Sequence, residues 1–227
     1  NLESPFTILA VATRENYDRS VFDAFFYCPD LHKTYTDIKT AVHRGEVTLL
    51  NTTALNIRAK LTGKEKCAMK RDEQLYKYIE ISDVTKYGLI THYTEGSFAT
   101  LPTRGEYKIH TGDILLALNN SSRGTVVLVP EEFNNAICTS GFLVIVPRDP
   151  IEGLLLWYVL RSEVCKKQIY YLAQTASQPE LKIETWRKYF QIPIPIGSTR
   201  DMALKKAREF QGYIEKLSNI DEFCFVL

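Results

Sequence analysis

Asn119-Asn120-Ser121-Ser122-Arg123 closes an apolar run, Ile114 to Leu118, that has the length and composition of a buried strand. Amide, hydroxyl and guanidinium groups held at a strand end can read base edges. Asn or Gln bonds adenine in bidentate fashion, and Arg does so with guanine. Thr175, Ser177 and Gln178 offer the same chemistry from the stretch AQTASQPE. Lys64, Lys66 and Lys70 belong to a basic run from Arg58 to Arg71 whose charge suits phosphate contacts. Each group also has a plainer reading. Asn and Ser favour turns for local reasons, and a basic run is commonly a solvated face.

Residues for catalysis are much scarcer. There is no G-x-G-x-x-G, no phosphate-cradling G-x-x-x-x-G-K-[ST] and no G-x-S-x-G elbow. His32, His43, His92 and His110 are scattered, without H-E-x-x-H or a cysteine pair, so no metal site is expected. Glu180-Leu181-Lys182 has the E-x-K spelling of metal-dependent nucleases, but that chemistry also needs an Asp to share the metal. No Asn-Pro-Pro-Tyr or Asp-Pro-Pro-Tyr segment is present to grip a flipped adenine. The chain is therefore not expected to methylate DNA by itself.

Strands are predicted in YIEISD from Tyr78, where Ile79 and Ile81 share a face, and at 113–118, 125–129 and 141–146. A short helix is predicted from Leu31 to Val42, ended by Gly45. Residues 52–74 read as an exposed polar loop. A helix after Pro150 carries Leu156, Val159, Leu160 and Val164 at helical spacing. ETWRKYF is a second short helix, and QIPIPI is extended because of Pro193 and Pro195. A last helix runs from about Ser198 to Asn219. Its Ala203, Ala207, Phe210, Ile214 and Leu217 step alternately by four and three, which is a heptad seam. Ala207, Phe210, Ile214 and Leu217 can pack on a second helix or on their own domain. These elements give a mixed α/β (α+β) domain over residues 1–196, a twisted sheet with packed helices, and a C-terminal spacer or dimerisation helix over 197–227.

The 227 residues are 45% hydrophobic and 24% charged, which is globular composition with room for a sizeable core. A formal net charge of +1 means that any nucleic-acid binding needs a local basic face. The cysteines Cys28, Cys67, Cys138, Cys165 and Cys224 are odd in number and widely spaced, which favours a reducing compartment over a disulfide framework. With no secretory signal and no long apolar span, a cytoplasmic, non-membrane location is expected.

The order of the pieces resembles the target-recognition half of the specificity subunit of type I restriction–modification systems, from about Ser20 to Leu217. FDAFFYCPDLHKTYTDI is similar to the family's lead-in, and YIEISDVTKYGLI to its Y-I-x-I-x-D-V…G-x-I segment. GDILLALNNSSRGTVVLVPEEFNNAICTSGFLVIVP resembles the central strands, with Thr139-Ser140-Gly141-Phe142 at the family's Ser-Thr-Gly-Phe-like step. LLLWYVLRSEVCKKQI and TWRKYFQIPIPI resemble the following helix and the exit into the spacer helix. QTASQPE departs from the family by lacking glycine.

The resemblance implies a chain that reads part of a bipartite site in double-stranded DNA and does no chemistry. Adenine-N6 methyltransferase subunits would bind S-adenosylmethionine, and a restriction and translocase subunit would use ATP and magnesium. Family subunits carry two recognition domains and two long helices. One domain and one helix, in a chain beginning with Asn1, fit a half-length subunit or a piece of a longer one. The alternative is the recognition domain of a single-chain restriction–methylation enzyme.

Overall fold

The apolar run that opens the polar segment is continuous because both of its faces are covered. In the computed structural model, which describes residues 28–119, 125–173 and 180–224 (side chains to Leu217 in the last helix), it forms β5, Ile114–Ala117. β5 is the middle strand of an antiparallel three-stranded sheet, between β6 (Val126–Leu128) and β8 (Phe142–Ile145). Ile114, Leu116 and Leu118 face a helical layer, while Leu115 and Ala117 face a second sheet. That is the period of two expected of a strand, with neither side left polar.

The second sheet has four strands in the order β3 (Thr94–Ser97), β2 (Leu75–Ile79), β7 (Ile137–Thr139), β4 (Gly105–Lys108). β2 and β7 are parallel and the other pairs antiparallel. Ile79, Tyr107 and Cys138 turn inward to meet Leu115, Phe142 and Val144. Tyr76, Tyr78 and Ile137 turn outward, where Phe98, Leu101, Leu61 and Met69 cover them. The strand expected from Tyr78 thus begins earlier and stops at Ile79. Ile81–Asp83 is a 3-10 turn, held by the Asp83 carboxylate accepting from the Glu80 N–H at 2.8 Å.

The helical layer holds α1 (Pro29–His43), α3 (Pro150–Leu160), α4 (Glu163–Leu172), α5 (Ile183–Tyr189) and α6 (Gly197–Cys224). α3 starts where Asp149 caps the Ile151 and Glu152 N–H groups, with Pro150 in the first turn. The single helix expected after Pro150 is two. Its apolar spacing continues across the break, but Ser162 caps α4 and starts it afresh. Trp157 and Trp186 are the largest fully buried side chains of this layer. Buried Gln168 exchanges both amide bonds with the backbone of Gln191, at 2.8 and 2.7 Å, and so fixes α4 to the segment entering β9 (Ile192–Pro195). β9 pairs antiparallel with β1 (Val47–Leu50), which follows α1 after a turn at Gly45 with φ of 68°.

Residues 52–74, expected to be a loop, contain helix α2, Gly63–Arg71. Its start is a capping box: Thr62 accepts from the Glu65 N–H, and the Glu65 carboxylate accepts from the Thr62 N–H at 2.7 Å.

Candidate nucleic-acid interface

One end of the sandwich gathers segments that are far apart in sequence. Leu118, just past β5, donates its N–H to Gly141 O at 3.2 Å and accepts from Leu181 N at 2.8 Å. Asn119 forms an antiparallel bridge with Glu180. Thr125 O accepts from Ala117 N at 2.9 Å, and Arg104 O accepts from Ser140 N at 3.3 Å. The two residues that bracket 120–124, the residue that follows 174–179, the β7–β8 turn and the loop before β4 therefore share one rim. Arg104 and Glu180 are exposed there, and Asn119 is partly buried.

Of the residues predicted to read bases, Asn119 sits on this rim. Asn120, Ser121, Ser122, Arg123, Thr175, Ser177 and Gln178 lie outside the described residues. What the fold brings together is the anchorage of both polar segments, since Asn119 and Glu180 are paired. Sequence reasoning singled out neither Arg104 nor Ser140 as a site residue. Their neighbourhood depends on the pairing of β4 with β7, which local pattern does not encode.

The basic run divides by geometry. Arg58 is half-buried and turned to an acid: its Nε and Nη2 donate to Asp113 Oδ2 and Oδ1 at 3.0 and 2.9 Å, and Asp113 is 3% exposed. Asp113 also accepts from the His110 N–H at 2.8 Å, so this pair is structural. Lys66 Nζ lies 3.0 Å from Glu106 on β4, which neutralises much of its charge locally. Lys64 and Lys70 are exposed on α2. The Leu61 N–H donates to Glu106 O at 2.7 Å, which ties α2 to β4, two residues from Arg104.

The heptad face is largely occupied by its own domain. Ala207 is fully buried, and Ala203 and Leu204 nearly so. Phe210 lies 5.6 Å from the Trp157 ring, and Phe210 and Ile214 both pack on the helical core. Only Leu217 of the four predicted partner residues is strongly exposed, at 46%. Met202 and Tyr213 are exposed on α6 as well.

The E-x-K residues are dispersed among the described residues. Glu180 is engaged at the rim, Leu181 is fully buried, and Lys182 precedes α5. Among the described residues no three His, Cys, Asp or Glu side chains come together as a metal site. Cys138 and Cys165 are buried, and burial pushes both thiols upward, Cys165 to about 12, away from nucleophilic use. No described helix is long and apolar enough to cross a membrane.

Solved structures share this arrangement and show the fold. The HsdS subunit from Thermoanaerobacter tengcongensis superposes with a TM-score of 0.57, at 18% identity, over 79% of this chain and 45% of its own. A chain from work on the complex assembly and conformational transition of the type I R-M system does so with a TM-score of 0.58, at 19% identity, over 78% of this chain and 44% of its own. The chain has an HsdS fold. It spans under half the length of either neighbour. No family model and no curated protein matches the sequence.

Proposed function

We propose that this chain recognises double-stranded DNA by sequence, as a specificity subunit or half-subunit of a type I restriction–modification complex. It directs adenine-N6 methyltransferase subunits and a restriction and translocase subunit to one part of a bipartite site. One observation carries the reading. On an HsdS fold, the anchor points of two segments rich in Asn, Ser, Thr, Gln and Arg meet at the same rim, through Asn119 and Glu180. Fold alone does not assign function, but polar segments held by a rigid double sheet are suited to reading base edges.

The division of labour follows from the chemistry. Rim side chains specify, while the exposed cations of α2 and Arg104 position the duplex by phosphate contacts. S-adenosylmethionine, ATP and magnesium belong to the partners, and this chain has no catalytic part. The test is methylation-site mapping in a genome expressing the chain with its methyltransferase partner. A methylated motif that changes when residues 119–123 and 174–180 are exchanged supports the reading. A motif indifferent to both exchanges overturns it, as does labelled methyl transfer by the purified chain alone.

A further inference from the structure

Arg161 follows α3 with its guanidinium against a pair of neighbouring rings, 5.1 Å from the Trp157 ring centre and 4.5 Å from that of Phe210. Nη1 donates to Val126 O at 3.0 Å. Among the described residues no carboxylate pairs with it, in contrast to Arg58, which has Asp113. The side chain is partly buried, and burial lowers it to about 10, so it remains a cation at neutral pH. A cation drawn out of water without a carboxylate is costly, and an anion brought to it recovers part of that cost. The guanidinium opens on a cleft of about 780 Å³ that also presents Lys86 and Lys166. Phe210, Pro193 and Pro195 supply apolar wall, and among the described residues no Asp or Glu lines it. Lys166 reaches Glu163 at 2.9 Å, but that carboxylate is 76% exposed and stands outside the lining.

We propose that this cleft docks a segment of a partner protein that presents an Asp or Glu carboxylate beside an apolar side chain. The carboxylate meets the guanidinium fork, whose planar donors match it, with Lys86 and Lys166 lining the same cleft. The apolar side chain lies on Phe210, Pro193 and Pro195. Charge complementarity selects the acid, and the apolar wall selects a protein over a nucleic acid. The site lies on other residues than the DNA-reading rim, so either can fail without the other.

The test is selection of a random heptapeptide display library on the full chain, with Lys86→Glu as the counter-selected variant. Lys86 is exposed, so this substitution leaves the core untouched. Enriched peptides are expected to carry Asp or Glu next to Leu, Ile or Phe. They should bind the Lys86→Glu and Arg161→Gln chains about tenfold or more weakly, a change of about 1.4 kcal/mol, and replacing the acid by its amide should do the same. No enrichment, enrichment without an acid, or undiminished binding to Lys86→Glu overturns the proposal. Displacement of the peptides by a random-sequence DNA duplex overturns it in favour of phosphate. A thermal melt of Arg161→Gln shows whether that chain is folded, and Lys86→Glu decides the matter where it is not.

Discussion

Arg58 and Arg123 look alike in the sequence and call for opposite experiments. Arg58 serves a buried acid, so Arg58→Ala strands the Asp113 carboxylate with only the His110 N–H. The expected loss is about 3–5 kcal/mol of stability, the range for breaking a buried pair from one side, read by urea denaturation. A loss below about 1 kcal/mol would mean that the pair behaves as a surface one. Arg123 belongs to the segment anchored at Asn119. Arg123→Ala should weaken binding to the cognate duplex by about 1–3 kcal/mol while leaving non-specific binding nearly unchanged. An equal loss on all sequences would reassign Arg123 to a phosphate. The sequence offered no way to tell Arg58 from the other cations of its run, because its partner lies 55 residues away.

At the scale of elements, α2 and α6 carry the predictions. Reversing Lys64 and Lys70 to Glu should flatten the salt dependence of duplex binding by about two phosphate equivalents. Lys66 is left out because Glu106 already holds it. An unchanged slope removes α2 from the interface. On α6, Phe210 is a poor probe of association, since it packs on Trp157 within the same domain. Leu217→Asp is the cleaner change. It should abolish association or partner docking with no fall in melting temperature, and sedimentation showing unaltered mass at all concentrations would reject the helix as a docking face.

What could be read beforehand followed physical lines. β5, β6 and β8 were legible because their apolar residues are local and unbroken, α1 because Gly45 ends it, and α6 from its heptad spacing, although α6 runs on to Cys224, past the end expected near Asn219. α2 was missed because it has no buried face of its own. Its one signal was the Thr62 to Glu65 capping box. The α3–α4 break hid behind an apolar spacing that runs through it. β7 and β4 are short, and what makes them strands is pairing with distant segments. The rim was legible as composition, while its assembly from Leu118, Ser140 and Leu181 required the sheets to be formed first.

For the molecule as a whole, buried acids of weak strength set the alkaline limit. The Cys165 thiol, ordinarily 9.0, is pushed up to about 12 by burial, and the Tyr78 phenol to about 12, chiefly by burial. Both groups ionise earlier in the unfolded chain than in the folded one. Their contribution is therefore complete below pH 9 and is lost as pH rises toward 12. For the Cys165 thiol the loss is about 1.4 kcal/mol per pH unit in that window. Arg161, held down to about 10, acts oppositely above that pH, as one group against several. The melting temperature should fall steeply above pH 9. A flat profile from pH 8 to 11 would show these groups to be solvated. Iodoacetamide should modify exposed Cys67 in the native chain and reach Cys138 and Cys165 only on denaturation, as read by peptide mass mapping.

The bridge between Asn119 and Glu180 has an evolutionary corollary. Because two stretches of the polypeptide are rooted at one spot, neither can be retuned in isolation. A substitution that alters how one root sits also moves the other. New target preferences should then arise by paired replacement of both stretches, and chimaeras that transplant a single one should lose discrimination without acquiring the donor's.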